Sequence, residues 1–362
     1  MFIYLVVLLF VLLISINVIK NRVPQKEQCF FLIALFVILL IMISFRSINV
    51  GTDNIRHNYF ILSSKNLFSI DDAWINALFN EPLWHLLPYL VNNFHYPIIS
   101  FWILYFSLVW FFLLKAVPNG TSKLLVSCIF VLSYFYCASY NTSAQVLAAI
   151  LILCSIKALN QRRIIISVFA FLAAIAIHKA SLFALPFLIL NYFSIPTKWY
   201  YLAFAASFLI LILNFDSFLF SNINNLMMQF DQGTNMSDYY QYFEMEKLKL
   251  NAVGLLMSYF IIIANIIVFI LVHLGNRNEL DVYSQWWAIG IILYILTFNY
   301  AWLFRLCYFF MIPMIIAIPL RMPHNNKRKY IIAILLLAFM YVCKLYNNND
   351  GVVPYELITQ IG

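Results

Sequence analysis

Residues 1–53 read MFIYLVVLLFVLLISINVI (1–19), KNRVPQKEQ (20–28), CFFLIALFVILLIMISF (29–45) and RSINVGTD (46–53). Two apolar runs flank a short stretch that carries Lys20, Arg22 and Lys26. A bilayer core takes about 20 apolar residues as one helix, so the pattern predicts two antiparallel spans. Basic residues hold loops in the cytoplasm, which puts the 20–28 connection inside. The N-terminus and Arg46–Asp53 then share the outer face. No basic residue precedes the first run and no small-x-small site follows it, so it reads as a span and not as a secretory leader.

The same pattern runs through the chain. Of 362 residues 64% are hydrophobic and 10% are charged, against about 25% charged in a soluble domain. One soluble core of this length does not hide so much apolar surface. Further candidate spans lie near 97–117, 123–140, 144–159, 163–178, 181–193, 199–215, 252–273, 283–300, 302–320 and 329–346, making about twelve. The short run 181–193 suits half of a broken helix. The stretch 82–94, with Pro82, His85 and Pro88, suits a re-entrant or interfacial segment. The fold class is therefore all-α, a polytopic membrane helix bundle. It forms a single membrane domain over 1–362, with extracytoplasmic loops 46–96 and 216–250, both longer than ordinary connectors.

Charge tests this orientation. The cytoplasmic side receives 14 of the 22 lysines and arginines, whereas 11 of the 14 acids fall outside. The formal charge of +8 thus reports topology and not nucleic acid. Cys29, Cys128, Cys137, Cys154, Cys307 and Cys343 stand singly in apolar runs without CxxC spacing, and read as small hydrophobes.

The chemistry-bearing residues collect outside. After Arg46, Gly51 permits a turn, and a helix starting near Thr52 stacks Asp53 and His57 on one face with Arg56 alongside. Thr52 or Asp53 suits its N-cap. That pattern fits either a capped loop helix with surface ion pairs or an anion site beside a carboxylate. Asp53 and His57 without a third ligand are weak evidence for a metal, and no cofactor is expected. Arg305 suits either a ligand contact or a side chain reaching lipid headgroups. His178 suits either a base or a helix C-cap, and Glu81 either a base or the start of the short 82–94 segment. The loop 216–250 combines Asp216, Asp231, Asp238, Glu244 and Glu246 with Tyr239, Tyr240 and Tyr242. That composition suits sugar rings and equally suits a membrane interface.

Phe45-Arg46-Ser-Ile-Asn-Val-Gly51-Thr-Asp53, followed by Arg56 and Tyr59, resembles the signature after the second span of the EpsG/Wzy family of polysaccharide polymerases. Glu81-Pro-Leu-Trp84, Asn141-Thr-Ser-Ala-Gln145, His178-Lys-Ala-Ser181, Arg305-Leu-Cys-Tyr308 and Val353-Pro-Tyr355 are similar to further family motifs, in the same order. Ser143 stands where the arginine of an Arg-Gln pair is usual. The resemblance implies an O-antigen-type polymerase of the bacterial inner membrane, serving lipopolysaccharide or other surface polysaccharide. Such an enzyme transfers a glycan from undecaprenyl diphosphate to a sugar hydroxyl of a second lipid-linked repeat at the outer face. It also implies an undecaprenyl-diphosphate-linked oligosaccharide as partner, membrane lipid around it, and a separate chain-length regulator protein.

That chemistry requires cations for the departing diphosphate and a base for the attacking hydroxyl. Arg46, Arg56 and Arg305 supply the first; Asp53, Glu81 and His178 supply the second. Tyr59, Gln145 and Tyr308 are the glycan-contacting candidates. Two other classes compete. A flippase of lipid-linked sugar places ionisable groups at mid-membrane, and the spans here are nearly free of them. A membrane acyltransferase would use His178 but leave the outer arginines without a purpose.

Overall fold

The computed structural model describes residues 1–63, 81–213, 252–273, 280–299, 305–322, 327–348 and 351–357. These residues are helical throughout apart from turns and one isolated backbone bridge, Arg46 to Leu357. Among the described residues six helices are long and apolar enough to cross a membrane: α1 (Phe2–Ile19), α2 (Gln25–Ser44), α5 (Pro97–Ala116), α8 (Ser143–Asn160), α11 (Ala252–His273) and α15 (Lys327–Asn347). The chain is thus a helical, multi-pass membrane protein.

Large apolar side chains face outward along these helices, as lipid demands. Phe2, Leu9, Leu13, Phe30, Phe111 and Leu256 are exposed, while Trp102, Tyr105, Phe106, Trp286 and Trp287 fill the core. A soluble protein does not present so wide an apolar exterior.

Six is half of the expected twelve; the other expected spans fall on apolar elements too short to count as full spans. The expected span 123–140 is broken: α6 (Lys123–Leu132) ends at Ser133, Tyr134 takes a left-handed backbone (φ 74°), and α7 covers Phe135–Ala138. Hydroxyls satisfy carbonyls around the break, as a membrane interior requires. Ser133 donates to Ile129 O at 2.7 Å, Ser139 to Tyr136 O at 2.5 Å and Thr142 to Ala138 O at 2.9 Å. α9 (Ile164–Ile177), α10 (Thr197–Ile212) and α12 (Val282–Leu296) are each shorter than a full span. The late segment is two pieces, α13 (Tyr308–Met311) and α14 (Met314–Arg321), divided at Pro313.

The short run after His178 is a 3-10 helix, Lys179–Asn191. At about 2.0 Å rise per residue its 13 residues reach about 26 Å. An α-helix of that length reaches only about 20 Å. A stretch too short to span as an α-helix therefore nearly crosses as a 3-10 helix. The 82–94 stretch forms α4 (Pro82–Val91), about 15 Å long and too short to span. The outer helix beginning near Thr52 is α3, Asn54–Ser63.

Polar side chains join neighbouring helices. Ser155 of α8 and Ser167 of α9 exchange hydroxyl contacts at 2.8 Å, each also bonded to the other's carbonyl at 3.0 Å. Such small polar residues let membrane helices approach closely. Gly290 of α12 is a second close approach. A Cβ there would lie 2.7 Å from Phe310 C and 2.8 Å from its oxygen, both backbone. Gly290→Ala is therefore expected to cost about 1–3 kcal/mol by forcing the two helices apart. A fall in the thermal midpoint of the detergent-purified protein, with the α-helical far-UV spectrum kept, checks it.

Candidate active site

The site is built on the loop after α2. Gly51 has φ +102°, a backbone that L side chains rarely adopt, and a Cβ there would meet Asn141 Oδ1 at 2.8 Å. The loop can therefore lie against Asn141 only because residue 51 is glycine. Asn141 uses the approach: its Oδ1 accepts from Asp53 N at 3.3 Å, and its carbonyl lies 3.0 Å from His57 Nε2. The His57 ring stands edge-on to Trp84 and Trp102, and Ser143 Oγ lies 3.4 Å from Nε2.

The tail segment 351–357 clasps the loop as well. Ser47 N donates to Glu356 O at 2.8 Å, Gly51 N to Gly351 O at 2.9 Å, and Tyr355 Oη to Met42 O at 2.9 Å. The Val353-Pro354-Tyr355 motif thereby packs against the Arg46 motif, more than 300 residues away in sequence.

Arg46 is buried, 3% exposed. Its Nη1 donates to Ile43 O at 3.4 Å, and Nη2 lies 3.2 Å from Asn54 Oδ1 and 3.3 Å from Tyr140 O. The guanidinium carbon sits 3.9 Å above the Trp102 ring and 4.3 Å from that of Tyr140. Stacked between two rings and bonded to three oxygens, this arginine joins α2, α3, α5 and the turn before α8. The geometry fits a residue that holds the loop from behind.

Arg305 is placed differently. It is half exposed, and its Nη2 lies 3.6 Å from Asp53 Oδ2, whose side chain is 34% exposed. A pair this exposed and this long contributes on the order of 0–1 kcal/mol. Arg305 can thus exchange Asp53 for a stronger anionic partner at little cost. Its carbonyl accepts from Gln145 Nε2, so the buried Gln145 side chain fixes this turn of chain.

One turn further on, Phe309 stacks beside the His178 ring, 6.3 Å between centroids. His178 Nδ1 lies 2.7 Å from Glu81 Oε1, which also accepts from Lys179 N at 3.1 Å. Burial by itself raises the Glu81 carboxyl, but the His178 and Lys179 hydrogen bonds outweigh it and hold the group below its ordinary value. A carboxylate only accepts, so Nδ1 carries the proton toward Glu81. Nε2 is then the ring nitrogen that can exchange a proton, the arrangement of a general base oriented by a carboxylate.

The candidates thus fall into two linked groups. Asn141 holds Asp53, which faces Arg305, whose carbonyl Gln145 fixes, and Glu81 holds His178, whose ring lies against Phe309 four residues after Arg305. Tyr308 is buried and turns its ring edge to Phe135, 5.9 Å between centroids. Arg56 and Tyr59 lie on α3, but their side chains, and the whole 216–250 loop, are outside the described residues. Sequence reading passed over Asn54, Trp102 and Tyr140 as site builders, and met Asn141 only as the first residue of the Asn141–Gln145 motif. Asn141 alone carried a signal, opening a span directly before Thr142 and Ser143.

Comparison with known proteins adds one positive finding. No curated protein and no solved structure matches the chain. The EpsG family matches residues 29–357, a stretch that contains every motif described above. The chain belongs to the EpsG family, whose general character is that of a membrane polysaccharide polymerase.

Proposed function

We propose that the protein extends a surface polysaccharide at the outer face of the bacterial inner membrane. It joins a glycan held on undecaprenyl diphosphate to a sugar hydroxyl of a second lipid-linked repeat. The observation that carries this reading is the Glu81–His178 pair, whose ring lies against Phe309, four residues after the half-exposed Arg305, in an EpsG-family chain.

In this reading Nε2 of His178 takes the proton of the acceptor hydroxyl as its oxygen attacks the anomeric carbon. The C–O bond to the diphosphate breaks, and Arg305 meets the charge that develops on the departing phosphate. Planar guanidinium donors match phosphate oxygens, and a cation fixed in advance lowers the barrier and not only the binding energy. Asp53 holds Arg305 in place until the diphosphate displaces it. Arg46 keeps the loop in register behind this pair, and Arg56 adds a second cation from α3. Gln145 fixes the Arg305 backbone, the buried Tyr308 packs against Phe135 next to that turn, and Tyr59 is the glycan contact carried by its motif. The partners are the lipid-linked oligosaccharide, bilayer lipid and a separate chain-length regulator.

Surface glycan from cells carrying Arg305→Ala or His178→Ala tests the reading. Each variant is expected to display single repeats and no long chains. Loss of a general base costs about 10²–10⁴ in rate, enough to remove the polymer ladder from a gel. Failure of any repeat to reach the surface would instead indicate transport. Full-length polymer in both variants would remove these residues from the mechanism.

A further inference from the structure

At the end of the bundle opposite Arg46 a cavity of about 270 Å³ opens between α5, α6 and α8. The count of basic residues assigns this end to the cytoplasm. Its lining includes Lys115, Lys123 and Lys157 around the connection through Asn119 and Gly120, and no acidic side chain contributes. The connection is held open from within. Lys157 Nζ donates to Lys115 O and to Val117 O, both at 2.6 Å. These are carbonyls at the end of α5 that the helix itself leaves unsatisfied. An ammonium has three donors, so one remains for an oxygen in the cavity.

Lysine capping explains Lys157 but not the other two. Lys115 and Lys123 are exposed and converge on the same space, where like charges repel. Gly120 adopts φ +80° with nothing within 4 Å of its Cβ position, so the connection curls around open space. The mouth lies at the edge of the lipid belt. Lys115 Nζ sits 5.4 Å above the ring of Phe111, a side chain 52% exposed on the apolar surface of α5. A lysine whose stem lies along lipid-facing surface presents its charge at headgroup depth.

We infer that this cavity binds the phosphate of an anionic phospholipid headgroup in the cytoplasmic leaflet. Lys115 and Lys123 are the contacting cations, and Lys157 supplies the third donor while holding the connection. Basic pockets between helices on the cytoplasmic side suit acidic headgroups. The seat on Phe111 favours a lipid over a soluble anion, because the acyl chains then continue along the exposed face of α5. This site is separate from the proposed reaction at the other end of the bundle and does not depend on it.

The test is native mass spectrometry of the detergent-purified protein titrated with phosphatidylglycerol, phosphatidylcholine and inorganic phosphate. Phosphatidylglycerol is expected to be retained in preference to phosphatidylcholine. The double variant Lys115→Gln/Lys123→Gln is expected to bind it roughly tenfold to thirtyfold more weakly. Lys198→Gln, which removes a cation at the same end but outside the cavity, is expected to bind normally. Asn119→Asp leaves every lysine in place and adds an acid to the lining, so it gives an independent reading if the double variant fails to fold. Unchanged phosphatidylglycerol binding in either cavity variant would overturn the inference. So would inorganic phosphate competing with the lipid at equal concentration.

Discussion

Arg46→Lys is expected to lose nearly as much as Arg46→Ala, in folded protein as well as in polymer. Lysine keeps the charge but not the planar fork. One ammonium does not reach Ile43 O, Asn54 Oδ1 and Tyr140 O together, nor does it stack between Trp102 and Tyr140. Each buried acceptor left without a donor costs about 1–3 kcal/mol. A desolvated cation–π contact adds about 2 kcal/mol. A loss of about 3–5 kcal/mol is therefore expected, a large share of the marginal stability of most folds. Thermal melts of the purified variants, read beside the surface glycan ladder, provide the check. A lysine variant that melts like the parent yet makes no polymer would show Arg46 touching substrate directly. One that does both normally would remove the arginine from either role.

Glu81→Gln is expected to shorten polymer about tenfold to a thousandfold in rate, less than His178→Ala but through the same atom. The carboxamide is neutral, so it no longer stabilises the imidazolium that forms when Nε2 takes a proton. It also gives Nδ1 a weaker acceptor than a carboxylate. The pH signature separates positioning from mere packing. The folded carboxyl sits below its ordinary value, so the ionised form contributes stability that is fully present above the unfolded value of 4.5. That contribution is lost only as pH falls through the lower, folded value. The parent should therefore lose thermal stability on acidification below about pH 4.5, whereas Glu81→Gln lacks this step. Melts between pH 3.5 and 6 compare the two. Identical acid limbs would mean that the Glu81–His178 bond contributes nothing to the fold.

The sequence was most legible where one segment could be read alone. Unbroken Leu, Val, Ile and Phe in 1–19 and 29–45 give α1 and α2 because no charge, Gly or Pro interrupts them. Proline likewise marks the starts of α4 and α5 at Pro82 and Pro97. The break at Tyr134 was not legible, since tyrosine carries no signal for a left-handed backbone and tertiary packing imposes it. The 3-10 helix was signalled only by its shortness. Within the site, residue types could be named but not their partners. Glu81 and His178 meet across 97 positions, and Arg46 and Tyr140 across 94. The burial of Arg46 is legible only once Trp102 and Tyr140 are in place around it.

The clasp between the loop after α2 and the tail segment sets a clock on assembly. Tyr355 and Glu356 leave the ribosome roughly 300 residues after Arg46. At about 5–20 residues per second that delay is roughly 15–60 s. Throughout it the Arg46 loop sits at the membrane surface without its tail partners, and without the Tyr140 carbonyl for the first part. A cell that slows translation late in this message lengthens the interval in which an insertion chaperone or a membrane protease meets an unfinished site. The candidate site is therefore complete only once the tail arrives, roughly 300 residues after its buried arginine.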